Sequence, residues 1–264
     1  MSESSITRYI VSKFSEEFLE LTDVDVAIVG AGPSGITAAR YLAKAGARTV
    51  VFERNMYVGG GMWGGGILFP KIVVEESAKL LLDEVNLKMD KVAEGYYVAD
   101  SVEAVSKCTS AAISAGAKIW VGMSVEDVAV RKTGKNIRVC GVVINWHAVE
   151  KAGFHVDPVT VLSKLVIDAT GHEANVVRTL TRKMPEIKLP TSTGGIVGEK
   201  PMWAELAEAE IMKNTREILP GLLVTGMTAN TVFGSYRMGP LFGGMFLSGK
   251  KAAEHALKKL KQSK

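Results

Sequence analysis

Cysteine is scarce in this 264-residue chain. Its two representatives, Cys108 and Cys140, stand far apart without CxxC or zinc-ligand spacing, which excludes a disulfide framework and a thiolate metal site. Both read as small buried residues. Long apolar runs are missing too: none reaches the ~18 uncharged residues of a membrane-spanning helix. The opening MSESSITRYIVSKFSEEF has no signal-peptide core. The cytoplasm is the expected location, and no membrane partner is expected. There is no internal repeat and no low-complexity tract, so repeat architectures drop out.

One-sided charge is also modest, at a net +4, and the lysines of the C-terminal KKAAEHALKKLKQSK are interleaved with Ala and Leu at helical spacing. They read as the solvated face of a helix rather than a nucleic-acid tail. No nucleic-acid partner is expected. A slight positive balance suits an anionic ligand without identifying one. With 47% apolar and 23% charged residues the composition is that of a soluble globular protein, and the length suits one large α/β domain over residues 1–264.

What is present begins with residues 24–54, VDVAIVGAGPSGITAARYLAKAGARTVVFER. An apolar strand, a turn with Gly30, Gly32 and Gly35, an apolar-faced helix and a second apolar strand ending in Glu53 make a complete βαβ nucleotide-binding unit. Gly30 permits the tight turn, Gly32 lets the backbone approach a pyrophosphate, and Gly35 lets helix and strand pack closely. The helix N-terminus offers free N–H groups and positive potential to phosphate. Glu53 stands where a carboxylate accepts the hydroxyls of an adenosine ribose.

Around this unit the periodicity predicts an amphipathic helix over 5–21, packed on the sheet or on another subunit. The stretch NMYVGGGMWGGGILFPK has no means of holding a helix and suits close approach to a ligand or a surface loop. Helices are expected over 72–87 and 101–117, strand-type runs over 118–130, 137–149 and 164–171, and a long functional loop over 183–203. A helix over 202–215 and a buried strand over 221–227 precede a last Gly-rich stretch that runs into the final helix. Gly-rich turns thus recur near the start, middle and end of the chain. In an open parallel sheet they gather at the carboxyl edge, where ligands bind, so one site assembled from distant segments is expected.

Only four histidines occur. His255 lies on the Lys-rich terminal helix and His147 inside a strand-like run, so neither suggests chemistry. His172 directly follows the DATG turn at a strand's carboxyl end, and His155 stands two residues before Asp157 in GFHVDP. Pro158 favours extended backbone at Asp157, and residues two apart in extended chain face one side. Imidazole and carboxylate without cysteine suit iron(II), manganese or zinc, but equally a catalytic pair or satisfied polar groups. Arg237, set among glycines in GSYRMGPLFGG, suits bidentate capture of a small carboxylate or a structural salt bridge.

The motifs VGAGPSG (29–35), FER (52–54), GGGMWGGG (59–66), HVDP (155–158), DATGH (168–172) and GSYRMGPLFGGM (234–245) together resemble the thiamine thiazole synthases, in order and over nearly the whole chain. The resemblance implies a glutathione-reductase-like α/β fold: a Rossmann-type parallel sheet with helices on its faces and an additional smaller β element. It implies that NAD is a substrate rather than a redox carrier. Nicotinamide is released, the ADP-ribose isomerises to a ketone, glycine condenses with it, and sulfur enters before the ring closes to an adenylated thiazole carboxylate. Carried over residue by residue, it implies Ser34, Glu53, Arg54 and Gly61 on the nucleotide, with Val125 near the adenine and Met227 near the ligand. It implies Asp157 and His172 on Fe(II), and Arg237 on the glycine carboxylate. It further implies a homo-octamer with sites shared between subunits, so that Asp157 and His172 can act on different copies.

One departure bears on the sulfur. Eukaryotic members carry a sulfur-donating cysteine just before the hydrophobic residue of the x-Asp-Pro motif, where this chain has His155. The expectation is a multi-turnover enzyme using free sulfide, as in archaeal-type members, with His155 adjusting the site or moving protons. Two other readings stay open. One is an FAD/NAD-dependent oxidoreductase of the two-dinucleotide-binding type, although Met227 stands where such proteins generally carry Asp. The other is a noncatalytic NAD-binding protein.

Overall fold

The apolar run that opens the nucleotide unit is the middle of a large sheet. In the computed structural model, which describes residues 1–134 and 136–262, helix α1 (Glu3–Glu20) leads into β1 (Asp23–Val29), α2 (Pro33–Lys44) and β2 (Thr49–Glu53). A short 3-10 helix, Gly60–Gly64, is followed by β3 (Lys71–Glu75), α3 (Glu76–Asp83), β4 (Met89–Ala93), β5 (Tyr96–Asp100) and α4 (Ser101–Ser114). Then come β6 (Lys118–Val121), β7 (Met123–Thr133), β8 (Asn136–Trp146), α5 (His147–Ala152) and β9 (Val159–Asp168). After a 3-10 turn at Gly171–Glu173 the chain continues as α6 (Asn175–Lys183), β10 (Lys200–Met202), α7 (Ala204–Asn214), β11 (Arg216–Leu219) and β12 (Leu222–Val224). It ends with α8 (Met227–Phe233), β13 (Tyr236–Arg237) and α9 (Gly243–Gln262).

The main sheet has the order β11-β12-β9-β1-β2-β6, with the β7–β8 hairpin joined to it through β8 and β9. From β12 to β6 the pairings are parallel. Alternate residues enter two separate cores, which explains why these strands are apolar throughout. Val26, Ile28, Val51, Leu165, Ile167 and Leu223 face α2, α4 and α9, while Ala27, Val29, Val50, Phe52, Val166 and Val224 face the β7–β8 hairpin and α6. Each fully buried aliphatic side chain contributes roughly 1.5–3 kcal/mol, so the two cores hold the strand ends in fixed register. The smaller β element is the antiparallel sheet β3-β5-β4, and a parallel pair β10–β13 lies apart from both. This is the expected glutathione-reductase-like, Rossmann-type arrangement.

Several local expectations are corrected. The helix expected over 72–87 begins only at Glu76, because residues 71–75 pair with β5. The Gly-rich stretch does hold a helical turn, a 3-10 turn with Met62 buried beneath it. His147 is not inside a strand; it opens α5, just after β8 ends at Trp146. The long loop is shorter than 183–203, since Lys183 closes α6 and β10 takes residues 200–202. Helix α1 buries no residue fully: Phe14 and Phe18 meet Trp120 with ring centroids 5.6 and 5.2 Å away, while Ile6, Tyr9, Ile10 and Leu19 stay exposed.

Candidate functional site

Register brings the parallel strands to an end together. Val29 pairs with Phe52 and with Asp168, Asp168 with Val224, and Glu53 with Val121. The turns that follow therefore form one rim. Gly30, with φ +98°, makes the turn out of β1, and a Cβ there would lie 2.5 Å from the Ala169 carbonyl oxygen. A Cβ on Gly35 would lie 2.0 Å from the Gly30 carbonyl oxygen. Gly32 differs, because a Cβ on it meets nothing within 4 Å. It caps α2 from extended backbone and opens to space at the helix N-terminus.

The acid at the end of β2 is aimed by its neighbours. Glu53 is buried, and its Oε2 accepts from the Ala31 amide at 2.9 Å while Oε1 accepts from the Asn55 amide and side chain at 2.8 and 2.9 Å. The Gly-rich turn closes over this corner: the Gly59 amide donates to the Ala31 carbonyl at 2.7 Å, and Gly61 lies within the short 3-10 helix. Ser34 is buried near the start of α2 against Gly226, the turn that releases β12 into α8. Met227 opens α8 and is buried, and half-buried Val125 lies on β7 just beyond the β6 end.

Asp168 holds the third turn. Wholly buried, it accepts from the Thr170 amide and hydroxyl at 3.0 and 2.7 Å and from the Val177 amide at 3.0 Å, fixing the 3-10 turn to α6. Burial pushes its carboxyl upward, against the pull of those donors. His172 sits on the turn it fixes, half exposed, with Glu199 Oε1 2.7 Å from its Nδ1. That contact engages Nδ1. Glu173 pairs with Arg54 at 3.1 Å, joining this turn to the β2 end. Hydrogen bonds from Asn175 and then Arg54 hold the Glu173 carboxyl below its ordinary value.

Arg237 is linked to the His172 turn by backbone, through the β10–β13 pair. Lys200 registers with Tyr236 and Met202 with Arg237, so β10, which directly follows Glu199, is tied to the strand carrying Arg237. Among the described residues no ion pair forms on the Arg237 side chain, and the structural salt bridge is not present.

His155 and Asp157 lie beside the end of β8, where the Val156 carbonyl accepts from the Asn145 side chain at 3.1 Å. They precede β9, whereas His172 follows it, and the ten-residue strand Val159–Asp168 separates them. The first residues of that strand pair with β8 and the last with β1. Among the described residues no hydrogen bond or ion pair joins residues 155–158 to residues 168–172 within one chain. Both His155 and Asp157 are exposed on irregular backbone, and no cluster of three His, Cys, Asp or Glu side chains able to hold a metal occurs among the described residues.

Four residues of the rim gave no sequence signal of their own. Asn55 and Glu173 lie beside recognised motifs, whereas Glu199 sits in a loop without periodicity. His147 belongs to a network in which its Nδ1 lies 2.8 Å from Ser124 Oγ and 3.0 Å from Glu150 Oε2, and its amide donates to Gly122, the turn beside Glu53. The Ser124 hydroxyl, followed by His147, holds the Glu150 carboxyl low. Neither thiol is on the rim. Cys108 is buried on α4, where burial pushes it up to about 12, and Cys140 lies within β8 with its Sγ 3.5 Å from the Ala129 carbonyl oxygen.

Comparison with known proteins agrees with this geometry. The Thi4 family model matches residues 7–242. The thiamine thiazole synthase of Methanococcoides burtonii is 51% identical over 98% of this chain and 99% of its own length. That of Methanothrix thermoacetophila is 52% identical over 100% of this chain and 98% of its own. The crystal structure of Thermovibrio ammonificans THI4 superposes with a TM-score of 0.95 at 47% identity, covering 99% of both chains. The chain belongs to the Thi4 family.

Proposed function

We propose that this chain is an enzyme of thiamine thiazole biosynthesis that converts NAD, glycine and free sulfide into an adenosine-diphosphate-linked thiazole carboxylate, releasing nicotinamide, with Fe(II) as cofactor and more than one turnover per subunit. Its membership of the Thi4 family supports thiazole formation. The rim supports the rest. Gly30, Gly32 and the α2 N-terminus receive the pyrophosphate, with Ser34 and Gly35 beneath it. Glu53, already oriented by Ala31 and Asn55, accepts from the adenosine ribose hydroxyls, while Arg54, Gly61 and Met227 line the ligand and Val125 borders the adenine.

The donor set fits iron at His172. A carboxylate on one imidazole nitrogen fixes the tautomer and frees the other nitrogen as a ligand, which is what Glu199 does here. Asp157 of a second subunit completes the set. Iron(II) held by these residues would supply Lewis acidity toward sulfide. Arg237 offers its fork to the glycine carboxylate, and His155, beside Asp157, moves protons. The working assembly is a homo-octamer in the cytoplasm; among the described residues no helix is long and apolar enough to cross a membrane.

The observation that carries the sulfide reading is the position of the two thiols, one buried on α4 and one within β8, both away from the rim. Anaerobic incubation with NAD, glycine, sulfide and iron(II), followed by mass spectrometry, tests it. More than one adenylated thiazole per subunit with unchanged protein mass is expected. Product capped at one per subunit with loss of cysteine sulfur refutes free sulfide. Intact NAD under every combination favours a noncatalytic binder, and a yellow protein transferring hydride favours the oxidoreductase.

A further inference from the structure

Two acidic side chains outside the rim meet without a cation. Glu75 ends β3 and Glu208 lies on α7, and both face the Gly243–Gly244 start of α9. A Cβ on Gly243 would lie 3.0 Å from Glu75 Oε2 and 3.1 Å from Glu208 Oε1, and one on Gly244 would lie 2.6 Å from Glu208 Oε1. Glycine at both positions is what lets α9 begin between the carboxyls. Glu75 Oε2 and Glu208 Oε2 are each buried without a hydrogen-bond partner as long as both groups are ionised. Two buried orphan acceptors side by side are costly, and one proton between them satisfies both.

We infer that Glu75 and Glu208 share a single proton, and that this proton pins the arm between Arg237 and α9 to β3 and α7. The arm is attached to the same corner elsewhere: the Val73 amide donates to the Pro240 carbonyl at 3.0 Å and the Phe242 amide to the Val73 carbonyl at 2.9 Å. Glu75 and Glu208 are therefore positioning residues for Arg237. That last step rests on the proposed role of Arg237; the shared proton does not.

The surroundings agree. Burial, then the hydrogen bond and charge of Glu75, push Glu208 up to about 9, with only the Gly244 amide pulling the other way. The other ionisable groups on the packed elements are occupied or exposed. Glu76 accepts from Tyr97, Lys79 pairs with Asp83, Glu210 accepts from Ser235, and Lys251 donates to the Met212 carbonyl. Lys250 lies over the Tyr41 ring, while Glu205, Lys213 and Glu254 face solvent. A carboxyl raised in the folded state contributes stability that is complete below its unfolded value near 4.5 and is lost as pH rises through about 9.

The test uses the full-length protein and E208Q, an isostere that keeps a donor toward Glu75 and carries no charge. Thermal unfolding of the wild type should lose several degrees between pH 6 and 9.5, ahead of E208Q, whose curve is flatter. Hydrogen–deuterium exchange of peptide 236–246, corrected for intrinsic exchange, should rise severalfold over that range in the wild type only. Parallel pH curves for the two proteins overturn the shared proton, and an unchanged peptide overturns the pinned arm. Should E208Q fail to fold, the infrared carboxylic-acid stretch of the wild type at pH 7, lost in E75Q, decides the same point, and its absence refutes it. None of these readouts needs turnover, so failure of glycine to react would count against the proposed function alone.

Discussion

Glu199 Oε1 lies 2.7 Å from His172 Nδ1, and this contact holds the half-exposed imidazole on its turn. Glu199 is carried by the loop before β10, and β10 is registered on the strand of Arg237. A change at Glu199 should therefore act on metal affinity without touching the metal. E199Q is expected to weaken Fe(II) or Co(II) binding by about 10–100-fold, and H172A to abolish it. Anaerobic calorimetry on the purified oligomer reads both. Equal affinity in E199Q and wild type would reduce the contact to a surface hydrogen bond.

Strand β9, between Asp157 and His172, leads to a complementation experiment. Asp157 precedes that strand and His172 follows it, and the proposed site takes them from different copies of the chain. D157A and H172A should each be inactive alone. Co-expressed so that the subunits mix at random, they should regain activity in about a quarter of the sites, those that draw His172 from one variant and Asp157 from the other. No recovery in verified mixed oligomers would remove Asp157 from the proposed site.

The same strand marks the limit of what is legible in the chain. The βαβ unit could be read because its apolar runs, glycines and terminal acid are all local. The placement of 155–158 relative to 168–172 depends on β9, whose first residues pair with β8 and whose last pair with β1, a matter of topology that local spacing does not encode. Strand β4 was invisible for another reason: four of its five residues are exposed, leaving no apolar alternation to detect. In 72–87, Ile72 and Val74 alternate as a strand while Ala78, Leu81 and Leu82 recur as a helix, and the helical part concealed the boundary at Glu75. Glu199 needed the tertiary contact to have any meaning.

Gly32 and Gly35 separate binding from stability. Gly35→Ala forces a methyl to 2.0 Å from the Gly30 carbonyl oxygen, so the α2 start must shift. A loss of at least ~2 kcal/mol in denaturant unfolding is expected. Gly32→Ala places its methyl in open space on backbone with φ −73° and ψ −178°, which alanine adopts freely. Its stability should stay within about 0.5 kcal/mol of the wild type, while NAD affinity falls at least about tenfold because the methyl occupies the pyrophosphate approach. Unfolding curves paired with nucleotide titration check both, and undiminished NAD binding by Gly32→Ala would place the pyrophosphate elsewhere.

Removing both thiols is the sharpest test of where the sulfur comes from. Burial holds the Cys108 thiol up to about 12, so almost no thiolate exists at neutral pH, and the side chain is buried on α4. Cys140 is committed to β8, with its sulfur toward the Ala129 carbonyl. Neither thiol lies on the rim. The C108A/C140A double variant should therefore make the thiazole product repeatedly from added sulfide, at a rate within about threefold of the wild type. A stability loss of about 1–2 kcal/mol, from the atoms removed at Cys108, is the only expected cost. Native wild-type protein should also leave Cys108 unmodified by a thiol reagent that labels it fully after denaturation. If the double variant binds NAD and iron normally yet forms no product, the sulfur passes through a cysteine, and the free-sulfide chemistry is wrong.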